Sequence, residues 1–483
     1  LTLPTQKNRN FEKIAKTPLD TFQDELDRAM KAAVCREGRV GVVVQDLQSG
    51  EFIYELNPDL PLAPASNQKV LTTIAALHLL KPEYMFKTEV FSDVPKDDGI
   101  IDGNIYIKGG GDPFLVKEEM WKLADQLKNK GINHVTGDLI VDSSFFDGIG
   151  DPSRDWGRIK MPLWYNAPTG GIAFNFNAIS VLATPGKSKN KPVKIEVDPP
   201  LDCFEVQGSP LTGSAGSRNS LILDIKEKDD KFILLLKGRM PSDTSTQTYY
   251  RHVNNASLYA GHAFKYYLEL CGVIVDGKVV NGQVTESCQR IHKHESRPLY
   301  SLLQAANKFS NNFMIEQTVK TIAAENVSLP GTTMKGLNAI YQSFKTDMNV
   351  NTEGMILNDG SGLSRKNKVS ARQFVDVISF AIKDSTFGPE FLTSLPVCGV
   401  DGTLKKRLKK MNNKRLVRAK TGLIDNVVCL SGVLDCRSGE GLVFSILMNK
   451  NRCRHRDSKK VQDKILKAML KYWSSRIEEN VTE

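Results

Sequence analysis

The sequence has no C-x-x-C pair and no H-E-x-x-H among its 8 cysteines and 7 histidines, so the local spacings that mark zinc sites are missing and no metal is expected. No apolar run reaches the roughly 18–20 residues that a membrane-spanning helix needs. The densest, Gly441 to Met448, is strand-sized, so the chain is not expected to span a bilayer. Proline is scarce, 21 in 483 residues, and with 40% hydrophobic and 25% charged residues wholesale disorder is excluded. There is no internal repeat of about 20–50 residues and no low-complexity tract, which disfavours solenoids and propellers. Neither an initiating Met nor an apolar signal region stands at Leu1; the expectation is that an export signal has been removed or that the sequence starts at the mature end.

What is present suits a large globular enzyme. The length allows roughly three average domains. Basic residues outnumber acidic ones, 65 to 55, and the net charge of +10 would suit an anionic partner. The densest basic run, Lys405 to Lys420, carries no aromatic residue to stack on a base, so it is expected to be a solvated face and no nucleic acid partner is expected. The even cysteine count permits disulfides without selecting a pairing.

Residues 18–34 set Phe22, Leu26, Met30 and Ala33 at helical spacing, and two β-rich runs, 41–47 and 51–54, flank Gln48-Ser49-Gly50 as a hairpin. A dense apolar helix follows from Pro64. Residues of about 92 to 286 change texture to short β-type runs separated by Gly, Pro and Asp, interrupted by one expected helix, Ala256 to Leu270. From Leu299 the pattern is helical again. Three expected strands, 415–421, 426–435 and 441–448, precede a last helix bearing Val461, Ile465, Leu466, Met469, Leu470 and Trp473 on one side. That helix is expected to pack on the sheet, with peripheral membrane contact as the most it could otherwise make.

Three short motifs carry chemistry. Ser66-Asn67-Gln68-Lys69 heads the helix after Pro64, where residues three apart share a face and a desolvated lysine can serve a serine as base. Its bland alternative is a helix-starting serine followed by an exposed lysine. Ser188-Lys189-Asn190-Lys191 has the same spelling in a polar setting without a helix. Ser310-Asn311-Asn312 lies between two helical runs, where a serine could simply be an N-cap; Ser217-Arg218-Asn219 matches by chance. Lys420-Thr421-Gly422 closes a β-type run and could be an ordinary strand end. Their order and separations, 244 positions from Ser66 to Ser310 and 110 from there to Lys420, form the arrangement of serine β-lactamases and penicillin-binding proteins.

With those motifs the chain resembles the class C low-molecular-mass penicillin-binding proteins, the D-alanyl-D-alanine carboxypeptidase and endopeptidase family. The resemblance extends to Gly109-Gly110-Gly111-Asp112-Pro113, to Asp359 through Arg365 and to Pro396 through Leu404. It implies an α/β (α+β) fold: a transpeptidase-like domain of residues 1–91 and 287–483, with a large β-rich insertion forming two further domains, 92–181 with 250–286 and, nested within it, 182–249. Residues and resemblance together imply a catalytic set of Ser66 as nucleophile, Lys69 as its base, kept neutral by burial and by the cation Lys420, and Ser310 as proton relay. Asn312 would hold the substrate amide, Lys420 and Thr421 its terminal carboxylate, and the backbone amides of Ser66 and Leu423, around Gly422, the oxyanion. Asp142 and Arg365 match places that grip a diaminopimelate side chain. Leu423 stands where the family usually has Thr or Ser, and Cys398 where it commonly has Ala; the latter reads as a small buried residue.

The implied activity is a serine D-Ala-D-Ala carboxypeptidase and/or endopeptidase acting on peptidoglycan peptides, inhibited by β-lactams, without cofactor, and working in the periplasm or otherwise outside the cytoplasmic membrane. Two alternatives stay open. A β-lactamase would need a deacylating glutamate where this chain spends its insertion, and a non-catalytic penicillin-binding or peptidoglycan-binding protein would not need the nucleophile.

Overall fold

The computed structural model describes residues 16–32, 38–148, 164–436, 440–450 and 455–482. Helix α1 (Pro18–Met30) begins with Thr17 and Asp20 in a reciprocal capping box and a proline at its first position, both N-terminal signals. It ends earlier than its apolar spacing suggested, and Ala33 lies outside the described residues. Strands β1 (Arg39–Asp46) and β2 (Phe52–Leu56) form the expected antiparallel hairpin. A single 3-10 turn, Ala65–Asn67, leads into α2 (Gln68–Leu80), which is buried almost all round and so sits inside the helical layer.

Within the insertion lie α3 (Lys117–Asn129) and α4 (Ala256–Leu270). The first was not expected from the sequence, although Met120, Leu123, Ala124 and Leu127 form its buried stripe at helical spacing; the surrounding β-type texture masked it. After the insertion come α5 (Leu299–Phe309), α6 (Asn312–Asn326), α7 (Thr333–Gln342), α8 (Ala371–Lys383) and α9 (Gly388–Ser394). The chain then adds β3 (Val417–Ile424), β4 (Val427–Leu434) and β5 (Leu442–Asn449), and closes with α10 (His455–Thr482).

The five labelled strands form one antiparallel sheet in the order β3-β4-β5-β1-β2. Every residue of β4 and β5 is buried, because both faces of the sheet are covered. On one face α1 and α10 pack Phe22, Leu26, Ile465, Met469 and Trp473 against it. The last helix therefore spends its apolar side on the sheet, as expected. On the other face α2, α6 and α8 build the larger core. The result is a three-layer body with β3 at its edge. No helix among the described residues is long and apolar enough to cross a membrane.

Sheet pairing cuts across the domain limits expected from texture. Strands Lys87–Ser92 and Gln289–Glu295 pair with each other and, through Ile105–Gly109, with the insertion's own five-stranded sheet. Limits at 91 and 287 therefore fall at strands that belong to the insertion. Likewise Ala178–Thr184 and Gln247–His252 pair along their lengths, although limits at 181 and 249 would divide each of them. Alternating β-type residues mark strands but not their partners.

The helical layer is tightest where α7 crosses α6. A Cβ on Gly336 would lie 2.0 Å from the Val319 carbonyl oxygen, a contact with backbone that cannot rotate away. Replacing Gly336 by Ala gains about 1 kcal/mol of helix propensity but costs roughly 2–3 kcal/mol in overpacking. Urea denaturation of Gly336→Ala is expected to show a net loss of about 1–2 kcal/mol.

Candidate active site

Three segments far apart in sequence meet beside the edge strand β3. Ser66 occupies the middle of the turn Ala65–Asn67, and Lys69 lies one helical turn on, so the two side chains share a face. The Lys69 Nζ stands 3.2 Å from Ser66 Oγ. Asn67 moors this turn to the sheet by donating to Ser431 Oγ at 2.7 Å.

Ser310 does not cap a helix start. Asn311 takes that task, its side chain accepting from the Met314 amide, while Ser310 ends α5 in the left-handed conformation, φ 58°. Its hydroxyl is left to accept from Lys420 Nζ at 2.9 Å. Lys420 and Thr421 lie on β3, and Thr421 donates to Thr403 Oγ1 at 2.8 Å. Gly422 is where β3 passes the nucleophile turn most closely: a Cβ there would meet the Pro64 carbonyl oxygen at 2.6 Å. That approach sets Leu423 and Ser66 on one cleft of about 400 Å³, together with Ser310, Thr421 and Gly422. Arg407 and Lys459 line the same cleft. A larger cavity, about 690 Å³, lies against Asn311 and Phe313 and includes none of Ser66, Lys69, Ser310 or Lys420.

The surroundings of Lys69 decide its chemistry. Its Nζ donates to Asn312 Oδ1 and to the Ser361 carbonyl, each at 2.6 Å. A neutral amine has two N–H donors and one lone pair; with both donors used by carbonyl oxygens, the lone pair remains for Ser66. Burial lowers the Lys69 pKa to about 8, against the opposing pull of Asp359 and Glu316. The Lys420 amine is also pushed well down, first by burial and then by Lys69. The expectation that the cation Lys420 helps to keep Lys69 neutral is corrected accordingly: desolvation is the cause, and the strongest neighbouring charges on Lys69 are two carboxylates.

Those carboxylates went unassigned in the sequence. Glu316, on α6, accepts from the amides of Ser361 at 2.9 Å and Gly360 at 3.3 Å. Asp359 accepts from the Gly362 and Ser364 amides and from Asn367 Nδ2, at 2.6–2.7 Å. Together they fix the turn that offers the Ser361 carbonyl to Lys69. The segment Asp359-Gly360-Ser361-Gly362 was visible as a motif, but nothing local to it revealed that its backbone is the working part.

The expected role of Asn312 also changes. Its Oδ1 is taken by Lys69 and its Nδ2 donates to the Tyr165 carbonyl at 2.9 Å, so the amide orients the base instead of standing open to a substrate. Asp142 is not among the cleft-lining residues. Buried at the end of the strand Leu139–Asp142, it accepts from the amides of Ser144 and Val284, both at 2.9 Å, and thereby ties two loops of the insertion. This corrects its expected part in gripping a substrate amine. Arg365 is exposed, 3.6 Å from the equally exposed Asp425. Cys398 is fully buried and its thiol is pushed up to about 11 by desolvation, which fits a packing residue. Ser188 to Lys191 form an exposed turn, and Ser217 to Asn219 are exposed and irregular.

Comparison with known proteins shows the family. The model of the D-Ala-D-Ala carboxypeptidase 3 (S13) family matches residues 23–471. A D-alanyl-D-alanine carboxypeptidase of Actinomadura sp. (strain R39) is 32% identical over 448 residues, covering 89% of this chain and 81% of the relative. The D-alanyl-D-alanine carboxypeptidase DacB of Haemophilus influenzae is 27% identical over 412 residues, 85% of each chain. The crystal structure of penicillin binding protein 4 from Haemophilus influenzae superimposes with a TM-score of 0.79 at 25% identity, covering 91% of this chain and 97% of that one; its complex with a β-lactam gives 0.75.

Gly362 carries the closest backbone approach in the site, with φ +80° and a Cβ position 1.8 Å from the Ala65 carbonyl oxygen. Gly362→Ala is expected to lose more than about 1 kcal/mol in denaturant unfolding. The same shift moves the Ser361 carbonyl off Lys69, so a fluorescent penicillin is expected to label the variant far more slowly than the parent.

Proposed function

The chain belongs to the D-Ala-D-Ala carboxypeptidase 3 (S13) family and is a serine DD-peptidase acting on peptidoglycan; on that premise we propose that its chemistry runs through an acyl-enzyme on Ser66. The observation that carries this reading is the Lys69 amine, buried, held by two carbonyl oxygens and 3.2 Å from the Ser66 hydroxyl. Lys69 takes the Ser66 proton as Oγ attacks the carbonyl of a D-alanyl peptide bond, forming a tetrahedral intermediate. Its oxyanion is received by the amides of Ser66 and Leu423, where one donor is typically worth about 10² to 10³ in rate. The Ser310 hydroxyl, linked to Lys420, relays a proton to the departing amine. The C–N bond breaks, and water later cleaves the ester to restore Ser66.

The terminal carboxylate of the leaving residue is placed at Lys420 and Thr421, and its arrival favours the protonated form of Lys420. Leu423 offers that carboxylate no hydroxyl. A β-lactam enters by the same acylation and stalls there; the similar penicillin binding protein 4 of Haemophilus influenzae has been solved in complex with a β-lactam. Of the two residues expected to recognise diaminopimelate, Arg365 alone retains an exposed charged group, so a side-chain carboxylate is the part of that substrate the proposal keeps. Action in the periplasm, or otherwise outside the cytoplasmic membrane, follows from the substrate. The division into a catalytic body and two inserted units is proposed with the body ending at about residue 86 and resuming at about 296, where the sheets separate.

Purified cross-linked muropeptides, digested and read by mass, are the direct test. Dimers becoming monomers, or loss of one alanine, supports the reading, and Ser66→Ala is expected to abolish both. With the Lys69 pKa lowered to about 8, only the deprotonated fraction can act as base. Acylation by penicillin should therefore rise about tenfold per pH unit on the acid side and level off above about pH 8. Full activity of Ser66→Ala, or a rate flat across that limb, refutes the proposal.

A further inference from the structure

Away from the catalytic cleft, three side chains of different chemistry converge within the insertion, where α4 meets the strand Phe204–Gln207. Asp202 and Cys203 lie in the turn before the strand Phe204–Gln207, and His262 comes from α4, 60 positions from Asp202. A carboxylate oxygen, the Cys203 sulfur and a His262 ring nitrogen all lie within 4.8 Å of one another. His262 Nδ1 is already 2.9 Å from Asp202 Oδ1.

We propose that Asp202, Cys203 and His262 form a binding site for a zinc-like divalent cation, with water completing the coordination. The donor set is one soft sulfur, one imidazole nitrogen and one carboxylate oxygen, a combination zinc accepts in tetrahedral geometry. Bonds of about 2.0–2.3 Å place such donors about 3.3–3.7 Å apart. His262 and Asp202 are already 2.9 Å apart, so the adjustment falls chiefly on the sulfur, which lies within 4.8 Å of both. The Asp202 side chain is 78% exposed and free to change rotamer, and the turn that carries Cys203 can bring the sulfur toward His262.

On binding, the Cys203 S–H bond breaks, the proton goes to solvent and the sulfur–metal bond forms; no redox change occurs. The site lies on two elements that otherwise meet through aromatic packing of Phe204 and Phe232 on Tyr259. The metal acts as a clip between strand and helix, and its binding energy adds to folding. The absence of C-x-x-C spacing concealed the cluster, since the imidazole arrives from a helix remote in sequence.

Cobalt titration of the full chain, stripped with chelator, tests this independently of peptidase activity. The expected result is one Co²⁺ per chain with thiolate-to-cobalt charge-transfer absorption, displaced by Zn²⁺, which also raises Tm. Cys203→Ser is expected to abolish the absorption, and His262→Gln, on the partly exposed face of α4, to weaken binding by at least about tenfold. No thiolate absorption in the parent chain overturns the proposal. So does absorption that survives in Cys203→Ser or, should that variant not fold, undiminished binding by His262→Gln.

Discussion

An ammonium taken out of water, where burial outweighs the opposing pull of Asp359 and Glu316, is the constraint on which the site depends. Moving the Lys69 pKa from 10.5 to about 8 is a penalty on its charged form of about 3 kcal/mol. The protein accepts that penalty by satisfying the neutral form completely. Asn312 and the Ser361 carbonyl use the two N–H groups, and the remaining lone pair has one neighbour, the serine. A base made in this way needs no histidine and no metal ligand near the nucleophile.

Much of the surrounding structure exists to hold those two carbonyl oxygens. Glu316 and Asp359 are buried acids whose hydrogen bonds go mainly to backbone amides of one short turn. They oppose the desolvation of Lys69, yet without them the turn that positions it would leave several amides unsatisfied. Helix α6 is the hub. It carries Asn312 toward the lysine, Glu316 toward the turn, and Gln317 toward the insertion, where its side chain bonds Gly111 and Gly170. Through Gln317 and the Asn312 contact with Tyr165, the inserted sheets abut the same helix that orients the base. The insertion is thus mechanically joined to the site, while among the described residues none of its side chains lines the cleft.

Most of the catalytic body was legible in the sequence because its signals are local. Capping residues, the hairpin at Gln48–Gly50, the apolar runs of β3 to β5 and the three motifs each occupy a few neighbouring residues. What stayed hidden depends on partners far away. The α3 stripe was present but surrounded by strand-like residues; the limits of the insertion follow from strand pairing that alternation cannot specify. Asp142 looked like a recognition residue because its hydrogen-bond donors, the amides of Ser144 and Val284, are backbone groups with no side-chain signature, and its ion-pair partner Lys108 comes from a neighbouring strand. Asn312 likewise revealed its spacing but not that both ends of its amide are occupied.

The protonation state of one amine is the point on which this account stands. Heteronuclear NMR of lysine side-chain nitrogens, with the Lys69 signal assigned by its loss in Lys69→Met, measures it directly. The account predicts that Lys69 titrates near 8. A midpoint at its ordinary value of 10.5 would contradict it, because the residue would then be a cation under working conditions and could not accept the proton of Ser66.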